Sequence, residues 1–146
     1  MSTVCIYAGS APGNDPAYAA AAADLTNLLV ERGHTIVYGG GRRGLMGVVA
    51  DTALAAGGTI VGIIPEAMIV VEVAHTALSE LIVVDTMHAR KQAMASRADA
   101  FVALPGGIGT LEELAEVWTW THLGYQDAPV GLLNVNGYYE ALIAFL

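Results

Sequence analysis

Short, continuously apolar runs alternate along this chain with longer stretches whose apolar residues recur at helical spacing. β-Branched and aromatic residues place strands at 3–8 (TVCIYA), 35–38 (TIVY), 59–64 (TIVGII), 81–84 (LIVV), 100–104 (AFVAL) and 129–133 (PVGLL). Helices fit between them at 15–32, 44–56, 86–98, 110–123 and from 137 to the end, with the alanine-rich AYAAAAADL a strong helix former. Strands that do not alternate are covered on both faces. Strand and helix repeating with right-handed crossovers build a parallel sheet between helical layers. The expectation is one α/β domain over 1–146, a doubly wound, Rossmann-like sheet that binds ligands beyond the carboxyl ends of its strands.

Length and composition agree with a single core, since 146 residues make about one domain. With 55% hydrophobic and 14% charged residues the chain is no disordered segment, and the apolar surplus predicts a subunit interface. No apolar run reaches the ~18 residues that would span a bilayer, and the start lacks a basic signal-like stretch, so a cytoplasmic protein is expected. The single cysteine, Cys5, fits a buried thiol in a reducing compartment. A formal charge of -8 argues against a nucleic-acid surface. The few cations are nevertheless grouped: Arg42 and Arg43 share a glycine-rich loop, Arg90, Lys91 and Arg97 share a helix, and only Arg32 stands apart. That grouping predicts a small anionic ligand.

Three loops at strand ends carry the candidate chemistry. AGSAPGN, 8–14, offers Gly9, Ser10 and Gly13 for close approach of a ligand. GGGRRGLMG, 39–47, fits G-x-G-x-x-G through Gly39, Gly41 and Gly44, with Glu66 about 20 residues onward. Because that pattern follows the second strand rather than opening the fold, three readings stand beside one another: a dinucleotide site, tight helix-to-sheet packing, or the wall of another ligand's pocket. PGGIGTLEE, 105–113, joins three glycines to a helix start, where free amides and the helix dipole suit a phosphate. No P-loop lysine follows, so a phosphate monoester fits better than a triphosphate. TLEE is also a capping box in which Glu113 would return to the Thr110 amide, a purely structural role. Glu113 is favoured over the more solvated Glu112 as a catalytic carboxylate, with Glu116 one turn below.

MHARKQAMASR supplies cations, Arg90 and Arg97 lying seven apart on one face and Met87 and Met94 on another, where they are expected in the core. His88 has no partner at metal-ligand spacing and is read as a packing or hydrogen-bonding residue, so no metal is expected.

PGGIGTLEE, MHARK, YGGGRRGLMG and CIYAGSAPGN together resemble the LOG (Lonely Guy) family of cytokinin riboside 5'-monophosphate phosphoribohydrolases, end to end. The resemblance implies hydrolysis of the N-glycosidic bond of an N6-modified AMP, or of AMP, to free base and ribose 5-phosphate, without a cofactor. It implies Arg90 and Glu113 as catalytic residues. Substrate contacts carry over to Glu72, Arg90, Lys91, Gly107, Ile108, Gly109, Thr110, Leu111, Glu112, Glu113 and Thr119. It also implies a homodimer or larger assembly with sites near subunit contacts. Members have often been labelled lysine decarboxylases, but the one lysine here, Lys91, sits beside Arg90 in an anionic-ligand site and no pyridoxal phosphate setting surrounds it. Two departures stand out. Arg42 and Arg43 replace small or apolar residues, leaving substrate, a second subunit or solvent as their destination, and the chain ends at YYEALIAFL, short of the family's usual C-terminal end. A noncatalytic nucleotide or cofactor carrier on the same fold is the alternative, one that would keep the glycine cradle without needing Arg90 with Glu113.

Overall fold

The computed structural model describes residues 2–146. Its strands are β1 (Thr3–Tyr7), β2 (Thr35–Tyr38), β3 (Ile60–Pro65), β4 (Glu80–Val84), β5 (Ala100–Ala103) and β6 (Val130–Leu132). Its helices are α1 (Pro16–Glu31), α2 (Gly44–Ala55), α3 (Met87–Arg97), α4 (Ile108–Leu123) and α5 (Glu140–Phe145). The strands form one sheet in the order β4-β3-β2-β1-β5-β6, every pair parallel. The expected α/β doubly wound arrangement is the one observed.

Alternation along β1 shows how the two layers arise. Ile6 faces a core with Ile36 and Tyr38 of β2, Leu45 and Val49 of α2 and Ala22 of α1. Its neighbour Cys5 faces the opposite side, with Phe101, Met94, Leu114 and Val117 from β5, α3 and α4. Successive strand side chains point to opposite faces, so a strand buried on both must be apolar throughout. α1 begins at an Asp15 cap, whose Oδ1 accepts from the Ala17 amide at 2.9 Å, and Pro16 fills the first helical position, where no amide partner is lost.

Chain order fixes the place of the crevice. From β1 the chain runs outward through β2, β3 and β4, then returns to put β5 on the other side of β1. The carboxyl ends of β1 and β5 therefore diverge into a topological switch point, where open α/β sheets receive ligands.

Two local outcomes differ from expectation. α4 begins at Ile108 with Gly107 as its cap, two residues before the predicted start at 110. The predicted helix from 137 begins at Glu140, because Asn136 (φ 51°) and Gly137 (φ 73°) turn the chain in the left-handed region first. The connection from β3 to β4, where no helix was expected, contains a short 3-10 turn at Glu66–Met68 and a run of further turns.

The glycines at the centre of the sheet are sterically required. A Cβ at Gly62 in β3 would lie 2.6 Å from the Gly40 Cα and 2.6 Å from Leu78 Cδ1. Backbone on one side cannot yield, so Gly62→Ala is expected to cost about 1–3 kcal/mol through overpacking. In thermal unfolding this should read as a Tm lower by about 5 °C; an unchanged Tm would show that β2 and β3 can separate without penalty.

Candidate active site

A cavity of about 650 Å³ opens at the switch point, bounded by the loop after β1, the loop after β5 and α3. Its floor is built on a buried cation. Arg90, on α3 and 4% exposed, donates from Nε to the Ile63 carbonyl at 3.0 Å and from Nη2 to the Gly39 carbonyl at 2.5 Å and Glu72 Oε1 at 2.7 Å. A buried guanidinium is tolerable only when so satisfied. The run Gly39-Gly40-Gly41 makes the arrangement possible: a Cβ at Gly39 would meet Arg90 Nη2 at 2.2 Å, and one at Gly41 the Glu72 carbonyl oxygen at 2.9 Å.

Those contacts decide among the three readings of the second glycine loop. Gly39 lines the cavity, while a Cβ at Gly44 would strike the Ser10–Ala11 backbone at 2.4 Å, so loop 8–11 already covers the α2 N-terminus. The loop is packing and pocket wall, with no room for a dinucleotide pyrophosphate.

The opposite wall is the start of α4. Gly107 caps it without a side-chain bond, and the first helical amides have no intrahelical partner. A Cβ at Gly106 would lie 2.3 Å from Thr110 Oγ1, whereas Gly107 and Gly109 face open space. Thr110 is 3% exposed, lines the cavity, and its hydroxyl has no hydrogen-bond partner. An orphaned buried hydroxyl beside free amides at a helix N-terminus makes a site complementary to an anion.

The earlier start of α4 changes the reading of Glu113. Thr110 stands at the third helical position rather than the cap, so the expected capping box does not form and Glu113 faces the cavity. Burial pushes its carboxyl up to about 7; Arg90 pulls it down, and the negative charges of Glu72 and Glu112 push it up. The same carboxylate, with burial as the larger cause, helps hold the Cys5 thiol and Tyr7 phenol above their ordinary values.

Other expected residues fall elsewhere. Lys91 donates to Glu112 Oε2 at 2.8 Å and Glu116 Oε2 at 3.0 Å, tying α3 to α4 away from the cavity lining. Burial lowers its pKa, but hydrogen bonds to the two carboxylates outweigh that and hold it above the ordinary lysine value. Glu112 lines the cavity edge, half-exposed and engaged with Lys91. Ile108, Leu111 and Thr119 are exposed outside the cavity, the Thr119 hydroxyl donating to the Ala115 carbonyl at 2.6 Å. Arg42, Arg43 and Arg97 are solvent-exposed, so among the described residues Arg90 is the cation lining the cavity and the predicted clustering of cations does not occur. His88 is exposed rather than packed; Met94 is core and Met87, expected there too, is exposed, and both reach the cavity wall. Among the described residues there is no cluster of metal-ligating side chains, and no helix is long and apolar enough to cross a membrane.

Sequence reasoning did not single out Tyr7, Tyr18, Met68 and Tyr138, which also line the cavity. Tyr7 ends β1 at the switch point and was accessible to the strand-end rule; Tyr138 lies 131 positions away and only folding brings it to the rim, its hydroxyl donating to the Gly106 carbonyl.

Residues 46–146 match a protein family described as "Possible lysine decarboxylase". A probable cytokinin riboside 5'-monophosphate phosphoribohydrolase of Oryza sativa subsp. japonica is 51% identical over 144 residues, 99% of this chain and 63% of that protein. A counterpart from Arabidopsis thaliana is 48% identical over 146 residues, 100% of this chain and 73% of its own. This chain belongs to the LOG family. It spans about three fifths of the length of the rice relatives, 63% and 58% for two of them. A solved structural-genomics target shares the LOG-like fold at TM-score 0.75 and 28% identity, covering 100% of this chain and 82% of that one. A molybdenum cofactor carrier protein from Chlamydomonas reinhardtii, 22% identical over 99% of this chain and 85% of its own, has the same fold at TM-score 0.76. In this LOG-family chain the two motif segments, MHARK and PGGIGTLEE, meet across one cavity through Arg90 and Glu113.

The displaced pKa of Glu113 gives a signed expectation. Folding raises it from 4.5 to about 7, so ionising it costs the folded state nothing below about 4.5, progressively more up to about 7, and the full amount above. Glu113→Gln should therefore raise Tm relative to wild type at pH 8 and much less at pH 4.5. Carboxyl NMR should show Glu113 titrating near 7, and lower in Glu72→Gln, which deletes a neighbouring negative charge; no downward shift would mean Glu72 acts on Glu113 mainly through Arg90.

Proposed function

We propose that this LOG-family protein hydrolyses the N-glycosidic bond of an N6-modified adenosine 5'-monophosphate, or of AMP, releasing free base and ribose 5-phosphate. The observation that carries the proposal is the joining of a helix start suited to a phosphate and a partly buried carboxyl on one helix. The free amides of Ile108 and Gly109 and the orphaned Thr110 hydroxyl would hold the 5'-phosphate, and Glu113 lies one turn, ~4.5 Å of rise, further along.

The chemistry follows from that spacing. As the C1'–N9 bond breaks, its electron pair leaves with the base, which takes up a proton from water, and positive charge develops on the ribose. A Glu113 carboxylate stabilises that charge and either takes a proton from the water attacking C1' or attacks C1' itself, forming an ester that water then hydrolyses to ribose 5-phosphate and the free carboxyl. Arg90 keeps this carboxylate ionisable in a buried place, while Glu72, held by Arg90, forms the adjoining wall. Lys91 supports the site indirectly by neutralising Glu112 and Glu116.

That pairing also weighs against the decarboxylase description. A lysine held protonated between two carboxylates, outside the cavity lining, is a poor nucleophile for an imine-forming cofactor. The carrier alternative explains the cradle but gives no use to a carboxyl poised near neutrality beside Arg90.

Assembly is part of the proposal. Ile108, Leu111, Ala115, Trp118 and His122 recur at spacings of three and four along the exposed side of α4, with Thr119 beside them. A second copy of this chain covering that stripe would bury its apolar residues and bring Ile108, Leu111 and Thr119 into an enclosed site. Sedimentation should find at least a dimer, reduced toward monomer in Trp118→Glu; a wild-type monomer would remove this part of the proposal.

Incubation with AMP and isopentenyladenosine 5'-monophosphate, without added metal or NAD, should release base and ribose 5-phosphate, with no release from the corresponding ribosides. Glu113→Gln should keep phosphate-dependent binding and lose about 10²- to 10⁴-fold in kcat. In wild type kcat/KM should rise with pH through about 7, as Glu113 ionises. Thr110→Val removes a hydroxyl that is unsatisfied in the free protein. It should leave Tm unchanged or raised while increasing KM about 10- to 100-fold, the range expected for a hydrogen bond to a charged group. Nucleotide binding without release of base would favour the carrier.

A further inference from the structure

The residue that carries Glu72 into the cavity stands on a strained stretch of chain. Val73, β-branched, has φ 53°, in the left-handed region that costs such a residue roughly 1–2 kcal/mol. The turns of 66–74 bury little, with Val70 85% and Val71 59% exposed, so apolar packing does not hold this segment down. Polar ties do. The Arg42 amide donates to the Val73 carbonyl at 2.9 Å, the Ala74 amide to Ile69 at 2.9 Å, and the His75 amide to the Gly40 carbonyl at 2.9 Å.

His75 adds a side-chain tie to α2, beside the one Glu72 makes to Arg90 on α3. It is 5% exposed, and its Nδ1 accepts from the Ala77 amide at 3.1 Å. An imidazole nitrogen that accepts an amide proton carries none of its own, so the neutral ring bears its proton on Nε2. Nε2 then donates to Asp51 Oδ1 on α2 at 2.8 Å. One ring thus shapes the turn after the segment with one nitrogen and fastens it to α2 with the other.

We infer that the His75–Asp51 bond is a latch that positions Glu72, and through Glu72 the Arg90 guanidinium, for the reaction at Glu113. The inference rests on the hydrolase reading of the cavity. His75 and Asp51 are positioning residues; neither lines the cavity. Asp51 is 73% exposed at its side chain, so the bond contributes little to global stability. Its effect is to choose one place for a segment that its own backbone preferences would not hold. Misplacement of a cavity wall by an ångström is enough to lower turnover by orders of magnitude.

The two functions of the ring can be separated by substitution. Gln presents an amide nitrogen where Nε2 lies and can keep the tie to Asp51; Asn presents an acceptor where Nδ1 lies and can keep only the turn. His75→Asn, His75→Gln and Asp51→Ala are compared with wild type, first without ligand. Hydrogen exchange of amides 69–76 and the Arg90 Nε–H resonance are followed, then kcat and KM for isopentenyladenosine 5'-monophosphate. His75→Asn and Asp51→Ala should exchange about 10-fold faster in 69–76 and broaden the Arg90 signal. Their kcat should fall about 10-fold, with KM changed less than about 3-fold. His75→Gln should stay within about 3-fold of wild type in each. If His75→Asn behaves as His75→Gln does, or if Asp51→Ala leaves the exchange and Arg90 signals untouched, the latch is overturned. Faster exchange with an undisturbed Arg90 signal and normal kcat overturns the coupling to the site. A wild type that shows the ligand-free signatures yet hydrolyses nothing overturns the hydrolase reading and leaves the latch standing.

Discussion

A buried guanidinium organises this protein. Arg90 lies under the cavity with a charge that no apolar core would accept, and it is tolerated because β3, the glycine loop after β2 and the segment after β3 each present it an oxygen. Each of those oxygens imposes a condition elsewhere. The Gly39 carbonyl can approach only because residue 39 has no side chain, and Glu72 can reach only because 72–75 is drawn against 40–42. Glu113 can remain ionisable near neutrality because the same cation sits beside it. Removing the cation would leave two backbone carbonyls and Glu72 without their partner, besides altering the chemistry.

Two acidic residues in the same short motif serve different ends, and position on α4 separates them. Glu113 turns toward the cavity, where burial and neighbouring carboxylates hold its pKa high. Glu112, one step round the helix, pairs with Lys91, which also engages Glu116. Lys91 thus acts here as a brace between α3 and α4.

The strands were legible because a sheet covered on both faces demands uninterrupted apolar runs, and each of the six expected strands lies within a residue or two of its place. The glycine-lined start of α4 at the cavity was legible for a related reason: glycines between a strand and a helix permit close approach to the helix N-terminus. The start of α4 was not legible. TLEE reads locally as a capping box, but the fold lets Gly107 cap the helix and sends Thr110 into the first turn. The clustering of cations misled in the same way. Arg42, Arg43 and Arg97 are near Arg90 by motif or helix, yet all three face solvent.

By itself the sequence determined the element order, the parallel sheet and the loops that had to be glycine-rich, since these follow from local sterics and from apolar period. Through the pairing of MHARK with PGGIGTLEE it also pointed to Arg90 and Glu113. Tertiary structure alone decided which charges meet. Arg90 finds Glu72 and not Glu113 as its hydrogen-bonded partner, Lys91 leaves the cavity for Glu112 and Glu116, and His75 reaches Asp51 across 24 positions. The physical reason is that a charge's partner depends on burial and on distances of a few ångströms, which are set by how the layers pack.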